Sequence, residues 1–205
     1  MLAALVLVAP PLAGQATALW GGGLGLGIAQ WSAIPGYSEH LTGTGFGAEG
    51  GARIGRGLLH LRYLSGALGP AAGNVPARDV VDARVGVGVQ ALTWLTLEAG
   101  PHVRAFSAAG ATERWVLWEV RSRVEASLIG PEAIGHAEVW RAFSSTVNLA
   151  DAIDYVQGGA IGLTFRSLKG PYRLGVDYEI EHAALNDGKR GETWEGLVVR
   201  LTIEP

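Results

Sequence analysis

Apolar and polar residues alternate with period two along most of the chain. Between 79 and 92, Val81, Ala83, Val85, Val87, Val89 and Ala91 fall on one parity, and Asp82, Arg84, Gly86, Gly88 and Gln90 on the other. Successive side chains of a β-strand point to opposite faces, so this pattern predicts a strand with one apolar and one polar face. The segment 93–106 sets Leu95, Leu97, Ala99, Val103 and Ala105 against Thr96, Glu98, His102 and Arg104. The segment 171–183 sets Tyr172, Leu174, Val176, Tyr178 and Ile180 against Arg173, Asp177, Glu179 and Glu181. In "EVRSRVE", residues 119–125, Glu119, Arg121, Arg123 and Glu125 share one face, and Val120, Ser122 and Val124 the other. No stretch sustains a helical period, and the reading is all-β. Candidate strands lie near 20–32, 44–55, 57–66, 79–92, 93–106, 113–129, 133–146, 154–167, 171–183 and 193–203. That makes ten, with eight as the alternative because the first and seventh are the least regular.

The connections sharpen this picture. Tight breaks fall at Gly55-Arg56-Gly57, Leu92-Thr93, Gly130-Pro131 and Leu168-Lys169-Gly170-Pro171, and recur roughly every 37–39 residues. Glycine and proline supply turn geometry at three of them. Between them lie longer polar or glycine-rich links, "IPGYSEHLTG", "SGALGPAAGNVPAR", "SAAGATE", "TVNLADAID" and "ALNDGKRGE". Short and long connections therefore alternate, as in an up-and-down antiparallel meander whose two ends meet different environments.

This organisation resembles that of the small bacterial outer-membrane β-barrels, over roughly residues 20–203. The resemblance is one of pattern and identifies an architecture, no single family's motif being present. It implies an even number of antiparallel strands, short periplasmic turns, longer extracellular loops, and side chains that are apolar toward lipid and polar toward the lumen. A soluble exported barrel holding an apolar ligand would alternate in the same way with the faces exchanged. Three features favour the membrane. The polar face is rich in glycine and in arginine with acidic partners. Trp20, Trp31, Trp94, Trp118, Tyr155, Tyr172 and Trp194 fall near strand ends or turns, where aromatic girdles form. The strands, about 10–16 residues each, are long enough to cross a bilayer when tilted. Barrels of this class typically end in an aromatic residue; here Leu197, Val199, Leu201 and Ile203 keep the alternation, but Glu204-Pro205 follow.

Composition supports an unusual surface. The chain has 205 residues, 48% of them hydrophobic and 17% charged, against roughly 25% charged in an average soluble protein. Lys169 and Lys189 are its two lysines, so arginine supplies nearly all of the 16 basic residues, as suits paired and partly buried positions. A net charge of −3 gives no electrostatic basis for nucleic-acid binding. The absence of cysteine removes disulfides, thiolate metal sites and a cysteine nucleophile. Residues 1–18 read as a signal peptide, "MLAALVLVAPPLAG" being its apolar run and Ala16-Thr17-Ala18 its cleavage site, although no Lys or Arg precedes the run. One β-barrel domain, 19–205, remains.

The candidate chemistry lies on the polar face. A lumen ion-pair network is expected among Glu98, Arg104, Glu119, Arg121, Arg123, Glu125, Glu138, Arg173, Asp177 and Glu179, because buried charges must be paired. Glu49, Arg53, His60, Arg62, Asp82, Arg84, His102, His136, Arg166, Glu181 and Arg200 share that face. The partners of 119–125 are sought first at Glu98, His102, Arg104, His136 and Glu138. The leading function is a structural, binding or narrow-pore protein with a charged, largely plugged lumen. The alternative is an outer-membrane hydrolase, lipid-modifying or protease, with a site at the rim. His102, His182, Ser144, Asp82 and Glu181 are its candidates, with Arg84, Arg104, Ser145, Asp151 and Asp154 nearby, though no nucleophile motif surrounds them. "GGGLGLG" at 21–27 lacks the βαβ context of a dinucleotide loop. His40 with Glu39 offers too few ligands for a metal, and "NDGKRGE" matches a calcium loop only by composition. No cofactor or metal is called for. Membrane lipid is the expected partner of a monomeric barrel, with any extracellular ligand met by the long loops.

Overall fold

Cross-strand register converts the alternation into two surfaces. A computed structural model describes residues 17–71, 75–108, 110–167 and 169–203. Its strands are β1 (Thr17–Ile34), β2 (Tyr37–Ile54), β3 (Gly57–Pro70), β4 (Arg78–Leu92), β5 (Leu95–Ala108), β6 (Ala111–Ile129), β7 (Ala133–Val147), β8 (Ile153–Arg166), β9 (Tyr172–Leu185) and β10 (Arg190–Ile203). Each pairs antiparallel with its sequence neighbours, and β1 also pairs with β10, from Gly21 opposite Ile203 to Ala33 opposite Gly191, closing a barrel of ten strands. This settles the count against eight. The turns after β2, β4, β6 and β8 gather at one end, here the proximal end, and those after β1, β3, β5, β7 and β9 at the distal end.

The outer wall is apolar. Val81, Val85, Val87 and Val89 of β4 are exposed while Val80 and Asp82 are buried, and the same division runs along β9 and β10. Val87 is 64% exposed and Leu197 56%, values that for so many aliphatic residues require lipid around them instead of water. The apolar faces therefore point outward, which rules out the soluble barrel with a greasy interior. Trp118, Val120 and Val124 lie outward on β6, and Glu119 and Arg121 are buried within.

Three features depart from the sequence reading. The distal links are shorter than their composition suggests. In "IPGYSEHLTG" the turn is Pro35-Gly36 alone, with Gly36 at φ 81°, and Trp31 already pairs with His40. Polar residues on strand ends that rise beyond the bilayer have no apolar partner in the alternation, so they read as loop. Of the signal peptide, residues 1–16 lie outside the described residues, and β1 begins at Thr17.

The second departure concerns the aromatic girdle. Trp31 and Tyr172 are exposed near strand ends and Trp94 in the β4–β5 turn, but Trp118 is exposed in the middle of β6, Trp194 is buried against Phe106, and Trp20 turns toward His60 at a ring distance of 5.4 Å. The third is that much of the lumen is greasy. Leu24, Leu26, Ile28, Leu41, Leu64, Leu68, Val80, Phe106, Leu117, Val156, Leu185 and Val198 form one buried cluster. In β1 the expected polarity is reversed, leucine and isoleucine inside and Gly23, Gly25 and Gly27 outside, with the Phe46 ring lying over Gly25. A closed barrel of this girth must fill its interior with side chains, and one part is filled with aliphatics.

Substituting Val87→Arg should destabilise the folded barrel by about 2–4 kcal/mol if it lies near the bilayer midplane. Urea unfolding in phospholipid vesicles measures this, and a loss within about 0.5 kcal/mol would mean the face meets water.

Candidate functional site

Strand parity carries most of the charged residues of β4 to β7 and β9 onto one inner surface. Their centre is His102, fully buried on β5. Its Nε2 lies 2.7 Å from Asp82 Oδ2 and its Nδ1 2.7 Å from Glu119 Oε1. A carboxylate only accepts, so this arrangement is completed when the ring donates from both nitrogens. Arg104 donates from Nε to the same Asp82 oxygen at 2.9 Å and from Nη1 to Glu181 Oε1 at 2.7 Å. The Trp140 indole N–H donates to the other Glu181 oxygen at 2.9 Å.

From Glu119 the chain of contacts continues along β6 and across to β7. Arg121 donates twice to Glu119 Oε2, at 2.7 and 3.0 Å, and once to Glu138 Oε1 at 2.6 Å. Its guanidinium also lies over the Trp140 ring, 4.3 Å from the centroid. Arg123 bonds Glu125 at 2.9 Å and stands 3.7 Å from Glu138. A second chain crosses from β3 to β9 and β10. Arg62 donates to Glu179 at 2.7 Å, and Asp177 takes contacts from His136 and Arg200. His60 and Glu98 stand 3.6 Å apart. Charges out of water hold only when every partner is in place, and the desolvation cost is shared through these contacts.

Two glycines make the packing feasible. A Cβ on Gly158 would meet the Trp140 ring at 2.4 Å, and one on Gly162 would overlap the Asp177 carboxylate. Glycine at these inward positions gives the large partners their room.

Of the expected partners of 119–125, His102 takes Glu119, and Glu138 takes Arg121 and Arg123. Glu98 sits opposite Arg121 in register but is nearest His60, while Arg104 and His136 turn to other carboxylates. Arg173, with Arg53, Arg123, Glu125 and Arg200, lines a cavity of about 170 Å³ in the proximal lumen. Toward the centre the free space falls to about 50 Å³, beside Arg62, Arg84, Glu138 and Asp177. Arg84 is buried there with Glu119 at 3.9 Å as its nearest acid.

The rim candidates for a hydrolase divide between the two faces of the wall, so that neither Ser144 nor His182 joins His102, Asp82 and Glu181. A register shift between Trp118 and Glu119 inserts an extra residue in β7, and beyond it Ser144 pairs with outward-facing Trp118. His182 likewise faces outward, hydrogen-bonded through Nδ1 to Thr193 Oγ1 at 3.0 Å, whereas Asp82, His102 and Glu181 are in the lumen. Outside the span, Asn186 and Arg190 bond Asp151 and hold its carboxyl below the ordinary carboxylate value. Asp154 accepts from the Gly188 N–H at 2.9 Å. His102, Glu119 and Glu181 offer ligand atoms within 4.8 Å of one another, but both His102 nitrogens are already engaged by carboxylates. That set is better explained as an ion-pair cluster than as a metal centre.

Sequence reasoning missed Trp140 and placed in the girdle Trp194, whose ring lies under Arg104 at 4.4 Å. Trp140 was readable, since it shares parity with His136 and Glu138. The Gln30–Glu192 and Arg190–Glu113 contacts across the distal mouth were not, because they join strands far apart in sequence.

Among solved structures the chain is similar to the outer membrane protease OmpT from Escherichia coli, with a TM-score of 0.53 and 5% identity over 92% of this chain and 97% of that one. It is also similar to an outer-membrane channel from Pseudomonas putida F1, with a TM-score of 0.50 and 10% identity over 97% and 100%. The fold is that of the bacterial outer-membrane β-barrels. The apolar belt around the wall is the surface that such a barrel turns to lipid. No family model and no curated protein matches the sequence. A protease and a channel share this architecture, so the likeness carries no activity.

Replacing Glu119 by Ala takes one of two carboxylates from both His102 and Arg121 and should cost about 3–5 kcal/mol of barrel stability. The urea midpoint in vesicles reads this, with the lipid-facing Val120→Ile as a control that should move little.

Proposed function

We propose that this outer-membrane barrel is closed to free solute flow and serves a structural or binding role, as a monomer embedded in lipid. The carrying observation is the central cross-section, where Asp82, His102, Glu119, Arg121, Arg104, Glu181 and Trp140 are linked by hydrogen bonds and each of them is at most 9% exposed. Passage of a hydrated ion would require several of these contacts to open together, and each is a charge-assisted bond in a region short of water. The buried aliphatic cluster blocks the remainder of the bore.

The short turns of such barrels face the periplasm. On that pattern the proximal end is periplasmic and the distal mouth, with Arg78, Glu113, Asp151, Arg190 and Glu192, faces outward. A partner at the cell surface would meet this polar mouth and the turns around it.

Planar-bilayer recording tests the reading. The wild-type barrel should give no steady open level at moderate voltage, and the double variant Glu119→Ala, Arg121→Ala should leak. A long-lived open level in the wild type would overturn closure and make the chain a pore.

A further inference from the structure

The lipid-facing wall is not uniformly apolar. One hydrogen-bonded row of the sheet sets Arg141 of β7 opposite Gln157 of β8, Gln157 opposite His182 of β9, His182 opposite Thr193 of β10, and Thr193 opposite Trp31 of β1. All five face outward. Arg141 is exposed, and among the described residues no acidic side chain pairs with it. Glu195, an acid on the same outer face, stands on β10 opposite Ile180 and Ala29. Trp118 and Phe143, both exposed, lie distal to Arg141 on β6 and β7.

Beside Arg141 the wall is grooved. An open depression of about 640 Å³ runs past Leu97, Val120, Ser122, Val139, Gly159 and Ile180, with Arg141, Gln157 and His182 also lining it. Glycine at the outward position 159 leaves the floor bare of side chain. An unpaired guanidinium on a membrane surface is costly unless an anion meets it, and the anions available in a bilayer are lipid phosphates.

We propose that this groove is a binding site for a phosphate-bearing membrane lipid. One acyl chain lies over Gly159 between Val139 and Ile180, and the phosphate meets Arg141, with Gln157 and His182 as further hydrogen-bonding groups. The charge of Arg141 and the adjoining apolar slot select a molecule that is anionic at one end and aliphatic along its length. A second copy of this chain would satisfy the slot but has no reason to satisfy Arg141.

The test uses the full barrel, folded in a neutral maltoside detergent and incubated with either phosphatidylglycerol or an uncharged galactosyl diacylglycerol of matched chains. Native mass spectrometry counts the lipids retained, and the heat-dependent shift in gel mobility checks that each variant is folded. Phosphatidylglycerol should be retained at one per barrel in preference to the galactolipid. Arg141→Gln should weaken its retention about fivefold, the effect of one basic residue near a charged surface. Ser122→Phe, which fills the groove and leaves Arg141 intact, should weaken it as well. Lys189→Gln in the β9–β10 turn should leave it unchanged. Equal retention of the two lipids, indifference to Arg141→Gln or to Ser122→Phe, an equal loss with Lys189→Gln, or a dimer mass in place of the lipid adduct would each overturn the proposal.

Discussion

A backbone in hydrocarbon has no water to bond, and the pairing of β1 with β10 gives every strand a hydrogen-bonded neighbour on both sides. Closure then decides what every side chain does. Once ten antiparallel strands meet in a ring, parity divides their residues into a lipid face and an interior, and a slip of one residue would exchange them. The outward valines of β4 and the inward Asp82 and Arg84 are two results of that one constraint.

The interior it encloses has to be filled, and the chain fills it in two ways. Aliphatic residues from β1, β2 and β3, with Leu117, Leu185 and Val198, pack one region. The strands from β4 to β7, with β9, fill the other with charges that neutralise one another, His102 tied to two carboxylates and Arg104 bridging Asp82 to Glu181. The tryptophans join the two regions. Trp194 packs on Phe106 on one side and takes Arg104 on the other, and Trp140 offers its N–H to Glu181 and its ring to Arg121. An aromatic ring tolerates both neighbours because its body is apolar while its face attracts cations.

The architecture was legible because each strand of β4, β5, β6 and β9 repeats the same two-residue pattern, and the lumen position of Glu119, Arg121 and Glu138 follows from parity alone. What escaped the sequence was set by closure. The inward turn of Leu24, Leu26 and Ile28 depends on β1 lying between β2 and β10, where Leu26 faces Val198 across one ladder and Gly45 across the other. Individual salt-bridge partners also escaped, since Arg62 reaches Glu179 across the bore, and no local spacing encodes that distance. Arg173, expected on the inner face by its parity, lines the proximal cavity together with Arg123, Glu125 and Arg200.

Local irregularity explains the failure of the rim site. Parity holds along β7 from His136 to Ala142, so Ser144 reads as inward on the same alternation. The extra residue opposite the Trp118–Glu119 step reverses the sense, sending Ser144 to the lipid side and Ser145 to the lumen, opposite Leu117. Bulges have this effect wherever they occur, because one unpaired residue shifts all that follow by half a period. The same step sits between Trp118, placed at the outer surface, and Glu119, placed against His102. The bulge therefore lets β6 keep its charged residues in the lumen while β7 changes face beside it, and Phe143 is left outward, two residues distal to Arg141.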